Sequence, residues 1–110
     1  MYTVEADEAT LQEVIRRLVA AVDPEKIILF GSRARGDHSP DSDLDILIVA
    51  DSSQPRHRRA ICAYRALRGL KLPKDILWFT PQEVAEWRSV VNHVIHLAFK
   101  EGRLLYERRG

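Results

Sequence analysis

The chain has 110 residues, 45% of them hydrophobic and 30% charged, with a formal net charge of +1. Its length and balance are those of one globular domain, residues 1–110, and exclude an enzyme with a separate substrate domain. The net charge near zero implies no general affinity for polyanions or membrane surfaces, and no apolar stretch approaches the roughly 20 residues of a membrane span. One cysteine excludes an internal disulfide, and residues 1–8 lack an apolar signal core, so we expect a cytoplasmic protein.

Helical periodicity near the start of the chain is followed by a short run of strand-forming residues. Six apolar positions recur at spacings of three and four, which predicts an amphipathic helix with one buried stripe. These positions are Leu11, Val14, Ile15, Leu18, Val19 and Val22. The helix is expected to end at Asp23, because the residue before a proline avoids helical backbone angles. Lys26–Phe30 then predicts a strand, and Gly31 predicts a tight turn at its end.

A polar segment and a second apolar strand come next. Residues 31–43 are rich in glycine, serine and aspartate, which predicts a loop, with one helical turn near residues 33–35. Leu44–Val49 predicts a strand whose side chains alternate between two faces, and both faces are apolar beyond Asp45. We therefore expect this strand at the centre of a sheet that is covered on both sides.

A basic helix and a third strand are predicted in the second half of the chain. Residues 55–69 predict a helix that begins with proline and ends with glycine, with Cys62 as a small buried residue. Residues 56–74 contain seven basic residues and no acid, which indicates either a solvated face or a surface for nucleic acid. Residues 75–79 predict a strand with Trp78 in the core.

The last elements complete an α/β or α+β domain with one small sheet. Thr80 is expected to cap a helix, with Pro81 in its first turn and Glu83 at the capping-box position. A final helix is predicted from Val90 to near Gly102, followed by an extended tail at residues 104–106. Strands that alternate with helices in this way favour one sheet flanked by helices.

Three aspartates are the candidate metal ligands. Asp43 and Asp45 are two residues apart at the start of a strand, so they should project from the same face. Neighbouring carboxylates favour a divalent cation between them, and Mg²⁺ with phosphates and water takes one or two carboxylates. Asp75 opens the next strand and would complete a three-carboxylate, two-ion site if the strands are neighbours. The alternative is an ordinary turn in which these carboxylates cap backbone N–H groups.

The residues after the first strand are candidate phosphate ligands. Gly31 lets the backbone approach a bulky anion, and Ser32 adds an N–H and a hydroxyl group at a helix start. Arg33 and Arg35 could neutralise phosphate charge, and Ser42 could add a further hydroxyl group. Both arginines could equally be structural, pairing with the acidic loop residues at positions 37 or 41.

Three other site types fail on residue identity. The glycines at positions 31 and 36 have P-loop spacing, but Asp37 and His38 replace the required lysine and hydroxyl residue. Aspartates at 41, 43 and 45 begin like an EF-hand, but Ile46 and Ser52 stand where glycine and glutamate are needed. The histidines at 93 and 96 lack further ligands for a zinc site.

The combined motif resembles that of the minimal nucleotidyltransferases in the DNA polymerase β-like superfamily. The resemblance rests on the run Gly-Ser-Arg-Ala-Arg-Gly at 31–36 and on Ser-Asp-Leu-Asp at 42–45, and it covers about residues 10–80. It implies a mixed sheet flanked by helices. It also implies that Asp43, Asp45 and Asp75 bind Mg²⁺ and that the Gly31-Ser32 turn holds a nucleoside triphosphate.

The same resemblance implies an activity and a partner. A nucleoside monophosphate, AMP from ATP, would pass to a hydroxyl group with release of pyrophosphate. The acceptor would be a tyrosine of a small helical HEPN-type protein, with this chain as its antitoxin. The alternative is a non-catalytic antitoxin or regulatory module that acts by forming a complex. Neither a membrane nor a nucleic acid is an expected partner, and a homo- or hetero-oligomer is compatible with the sequence.

Overall fold

The computed structural model describes residues 8–39 and 41–109, and in this part of the chain five helices surround four strands. In chain order they are α1 (Glu8–Val22), β1 (Lys26–Phe30), α2 (Ser32–Arg35), β2 (Leu44–Val49), α3 (Arg56–Ala66), β3 (Lys74–Phe79), α4 (Pro81–Trp87), α5 (Val94–Glu101) and β4 (Arg103–Glu107). No described helix has the length and hydropathy to cross a membrane. The prediction about a signal segment concerns residues that lie almost wholly outside the described ones.

The four strands form one mixed sheet in the order β3-β2-β1-β4. β1 is antiparallel to both β2 and β4, whereas β2 and β3 are parallel. The parallel pair needs a crossover connection, which α3 provides. The predicted α+β fold with a small mixed sheet is confirmed.

Two separate cores cover the two faces of the sheet. Leu44, Ile46 and Ile48 of β2 pack with α1 and α3 on one face. Leu47 and Val49 pack with α4 and α5 on the other. All five side chains are buried, so the prediction of a central strand covered on both sides is confirmed.

Helix α3 also covers the outer edge of β3. The hydroxyl group of Tyr64 accepts a hydrogen bond from the N–H of Ile76 at 2.9 Å, and Nη1 of Arg59 donates to the carbonyl oxygen of Trp78 at 3.4 Å. The indole N–H of Trp78 donates to the carbonyl oxygen of Ala50 at 2.8 Å, which ties β3 to the end of β2. Side chains therefore satisfy polar groups that an edge strand otherwise leaves open to another chain.

Two helix predictions are corrected by the structure. Cys62 is exposed rather than buried, because α3 turns Ala63 and Leu67 toward the core and Cys62 to its outer side. The last helix begins at Val94, not at Val90. Asn92 has a positive φ of 70°, and the His93 side chain caps the helix by accepting the N–H of Ile95 at 3.1 Å.

The predicted capping box of α4 is confirmed. An ion pair joins it to α3. Nη1 of Arg59 lies 2.6 Å from Oε1 of Glu83, with the two side chains 10% and 23% exposed. Glu83 also accepts the N–H of Thr80 at 2.8 Å. Partial burial raises the pKa of Glu83, but its hydrogen bonds with Arg59 and Thr80 outweigh burial, and the pKa lies below its usual value.

Replacing Arg59 with alanine should destabilise the fold by about 1–2 kcal/mol at pH 7, because Glu83 loses its partner in a partly buried position. A lowered folded-state pKa gives stability that is present above the unfolded value and is lost as pH falls. The difference from the parent protein should therefore shrink below about pH 4. Urea unfolding of the variant and the parent protein at several pH values measures this difference in the free energy of unfolding. Arg58→Ala, at an exposed position one residue away, is the control, and equal losses in both variants would contradict the prediction.

Candidate functional site

Two of the three aspartates face each other across neighbouring strands. Asp45 of β2 lies directly opposite Asp75 of β3 in the parallel register. The N–H of Leu44 donates to the carbonyl oxygen of Pro73 at 2.8 Å, which holds the beginnings of both strands together. Asp43 precedes Asp45 by two residues, just before β2 begins. The structure thus brings together the three candidate carboxylates at one end of the sheet.

Negative charge is concentrated at this end of the sheet. Burial raises the pKa of Asp45 above its usual value, and the carboxylates of Asp75 and Asp43 raise it further. The guanidinium group of Arg35 acts in the opposite direction but does not cancel the shift. Burial and the neighbouring carboxylates therefore both oppose the charged form of Asp45, and a bound cation would relieve the repulsion.

Gly31 is required by both its conformation and its surroundings. Its φ of 75° and ψ of −159° lie in a region that is open essentially to glycine alone. A Cβ at this position would collide with the carboxylate of Asp45. The carbonyl oxygen of Gly31 accepts the N–H groups of Ala34 and Arg35, both at 3.1 Å, and so begins α2. The turn after β1 therefore lies directly against the candidate metal ligand.

Arg33 and Ser42 hold the loop that leads into β2. Arg33 is only 8% exposed, and its Nε and Nη2 donate to the carbonyl oxygen of Ser42 at 3.1 and 2.9 Å. Oγ of Ser42 accepts the N–H of Ser39 at 2.9 Å. These contacts show a structural role for both residues next to Asp43, and their predicted contacts with a nucleotide stay predictions.

Arg35 and Ser32 lie on the other side of the turn. Nε of Arg35 lies 3.2 Å from Oδ2 of Asp37, which is one of the two acidic loop residues predicted as structural partners. Nη1 of Arg35 lies 3.9 Å from Oε2 of Glu101. Arg35 remains 47% exposed at its side chain and acts electrostatically on Asp45. The carbonyl oxygen of Ser32 accepts the N–H of Gly36 at 2.9 Å. A role of Arg35 or Ser32 in nucleotide binding stays a prediction.

The carboxylates suit Mg²⁺ only together with further ligands. Among residues 8–39 and 41–109, no three or more histidine, cysteine, aspartate or glutamate side chains form a ready-made metal site. Mg²⁺ at phosphate-binding sites commonly uses one or two carboxylates and completes its coordination with phosphate and water. The hard oxygen donors and the unneutralised charge around Asp45 fit that kind of site.

The position of Tyr64 near the site escaped the sequence analysis, and His38, in the loop that leads to β2, is more buried than a solvated loop residue. The hydroxyl group of Tyr64 lies 3.5 Å from Oδ1 of Asp75, which is a weak contact across the edge of β3. Nδ1 of His38 is buried and has no hydrogen-bond partner among the residues that the structure describes. No sequence signal could have placed Tyr64 there, because its position depends on how α3 packs along β3.

Several solved structures share the fold of this chain. A crystal structure of a toxin–antitoxin with AMP-PNP has a TM-score of 0.66 and 21% identity, over 90% of this chain and 74% of that one. A Sulfolobus solfataricus protein provisionally named a nucleotidyltransferase has a TM-score of 0.62 and 24% identity, over 89% and 78% of the two chains. A mutant form of the toxin–antitoxin MntA-HpeT has a TM-score of 0.65 and 19% identity, over 90% and 74%. At these identities the likeness establishes the nucleotidyltransferase-type fold.

The sequence itself settles the family. The chain belongs to the nucleotidyltransferase domain family, which matches residues 10–105. A Methanocaldococcus jannaschii protein with the provisional name protein adenylyltransferase is 73% identical over 26 residues. That match spans 24% of this chain and 26% of the relative, so it concerns about a quarter of each protein.

Replacing Gly31 with alanine should destabilise the fold by about 3 kcal/mol, since backbone strain and the collision with Asp45 add together. Gly36→Ala is the matched control, because Gly36 also has a positive φ, 84°, but nothing lies within 4 Å of a Cβ there. Only backbone strain of about 1–2 kcal/mol is expected for the control. Urea unfolding of both variants measures the difference, and equal losses would show that the contact with Asp45 is unimportant.

Replacing Asp45 with asparagine should stabilise the metal-free protein at pH 7, because it removes the charge that burial and two carboxylates oppose. A raised folded-state pKa means that the parent gains stability as pH falls toward the unfolded value of about 3.9. The advantage of the variant should therefore shrink as the pH falls toward about 4. The measurement is the urea midpoint without divalent cations, with Asp51→Asn, at the far end of β2, as control. A lower midpoint for Asp45→Asn at pH 7 would contradict the expectation.

Proposed function

We propose that this chain transfers AMP from ATP to a hydroxyl group of a partner protein, with release of pyrophosphate. The observation that carries the proposal is the pairing of Asp45 with Asp75 beside the Gly31 turn, in a chain of the nucleotidyltransferase domain family. The acceptor that we propose is a tyrosine of a small helical HEPN-type partner in a toxin–antitoxin pair. Support comes from the toxin–antitoxin structures of similar fold and from the relative named for protein adenylyltransfer.

The residues around the carboxylates have separate roles in this proposal. Asp43 and Asp45, joined by Asp75 for a second ion, are the residues that would hold Mg²⁺. Held there, Mg²⁺ would supply positive charge that offsets the negative charge of the triphosphate during transfer. The backbone N–H groups of Gly31 and Ser32, where α2 begins, would bind phosphate oxygens. Arg35, exposed and electrostatically coupled to Asp45, adds positive charge for the phosphates.

The proposed reaction is an in-line displacement at the α-phosphorus. The acceptor oxygen forms a bond to this atom while the bond to the bridging oxygen breaks, and pyrophosphate leaves with that oxygen. Asp75 is more exposed than Asp45 and lies on the outer strand, which leaves it open to an incoming hydroxyl group. We assign to Asp75 the acceptance of the hydroxyl proton.

Thermal unfolding with and without Mg²⁺ and ATP tests the nucleotide site. Ligand at about 100 times its dissociation constant adds about 2.7 kcal/mol, which is on the order of 10 °C for a domain of this size. The shift should need Mg²⁺ and should disappear in Asp43→Asn/Asp45→Asn. Asp51→Asn, which changes an exposed aspartate at the opposite end of β2, should keep the full shift.

The acceptor half of the proposal has its own measurement. Transfer of label from α-labelled ATP to a tyrosine of the partner should need Asp45 and should stop in Asp45→Asn. If no nucleoside triphosphate shifts the unfolding temperature of the parent, the transferase proposal is wrong. A non-catalytic binding module would then be favoured, particularly if the carboxylate variants still neutralise the partner in cells.

A further inference from the structure

A groove runs along the outer side of α3 and reaches Tyr64 and Lys74, next to Asp75. Two adjoining clefts, of about 570 and 460 Å³, share Ile61 and Arg65 in their walls. The first begins at the loop of residues 51–54 and passes Arg58, and the second continues past Tyr64 to Lys74. We name this continuous surface the α3 groove; its exposed side chains include Arg58, Ile61, Cys62, Tyr64 and Arg65 of α3 and Arg68 just beyond the helix.

The α3 groove carries positive charge that the fold itself does not use. Arg58, Arg65 and Arg68 have no carboxylate partner among residues 8–39 and 41–109, and Asp51 lies only at the far end of the groove. By contrast, Arg59 is paired with Glu83 and Arg56 lies over the ring of Phe79 at 4.9 Å. Residues 56–74, which include the three arginines, contain no acidic residue. A ligand with several negative charges would complement this surface.

Apolar side chains lie between the arginines and favour a protein ligand over a nucleic acid. Ile61 is 47% exposed and Tyr64 is 39% exposed, and the exposed Cys62 also lines the first cleft. An aliphatic side chain of this size at the centre of a basic groove suits an apolar residue flanked by carboxylates. From Arg58 to its last residue, Ala66, α3 is about 12 Å long, which an extended segment of four residues spans.

The end of the groove lies next to the third carboxylate. Lys74, in the wall of the second cleft, is followed by Asp75 in β3. The hydroxyl group of Tyr64, also in that wall, is 3.5 Å from Oδ1 of Asp75. A segment that lies in the groove can therefore bring a hydroxyl group at its end to Asp75.

We propose that the α3 groove docks the acceptor, an acidic protein segment with one apolar side chain, and aligns its hydroxyl group with Asp75. This inference rests on the proposed function, which supplies the acceptor. Arg58, Arg65 and Arg68 bind its carboxylates, and Ile61 contacts its apolar side chain. The groove thereby selects the acceptor by charge, at a surface separate from the one that holds the nucleotide.

A random copolymer of glutamate and tyrosine is the probe, with binding followed by fluorescence anisotropy at low and moderate salt. Charge reversal by Arg58→Glu/Arg65→Glu should weaken binding at least about tenfold, which corresponds to about 1.4 kcal/mol. Lys100→Glu/Arg109→Glu changes the net charge by the same amount at exposed positions away from the groove and should alter binding less than twofold. The groove variant should keep the Mg²⁺-ATP thermal shift, which shows that it folds and binds nucleotide.

Other results would overturn either the docking proposal or the proposed transfer. Equal loss of binding in both charge variants would mean that only net charge matters. A twelve-nucleotide oligouridylate that loses affinity in the groove variant, while the copolymer does not, would make the groove a nucleic-acid surface. If the copolymer binds through the groove but the parent shows no Mg²⁺-ATP shift, the docking surface stands and the proposed transfer is wrong. If the shift is present but groove-dependent binding is absent, the docking proposal alone fails.

Discussion

Burial of β2 on both faces is the constraint on which the geometry of the site depends. From Ile46 to Val49 every side chain of this strand is buried, two against one helical layer and two against the other. A slip of one residue would exchange the two faces of the strand, so its register with β3 is strongly specified. Asp45 therefore lies directly before the run of residues that is buried without interruption, and the same register places Asp75 opposite it.

The core therefore maintains an arrangement of charges that would not persist alone. Carboxylates at 43, 45 and 75 repel one another, and Asp45 is also partly withdrawn from water. A local shift of the backbone cannot relieve this repulsion or the burial of Asp45. The backbone of Gly31 lies against Asp45, and the buried Arg33 holds the loop at Ser42. Preorganisation of this kind is typical of sites whose missing charge arrives with the ligand.

Features with a local or short-period signal could be predicted, and those that depend on long-range packing could not. Three features depend only on residues that are close in sequence, and the structure has all of them. They are the alternation of β2 side chains between two faces, the turn at Gly31 and the helix cap at Thr80. The position of Asp75 could be predicted only on the condition that its strand pairs with β2. The exposure of Cys62 and the contact of Tyr64 with β3 depend on the rotation of α3, which its mostly polar sequence does not specify.

The hydrogen bonds between α3 and the edge of β3 link loss of the site to aggregation. Tyr64 and Arg59 occupy polar groups of the outer strand at Ile76 and Trp78. If α3 lifts away in a partial unfolding event, these groups become a template for another chain, and the strand that carries Asp75 loses its outer support. Loss of the site and the start of aggregation would then share one opening step, so stress that inactivates this protein should also make it self-associate.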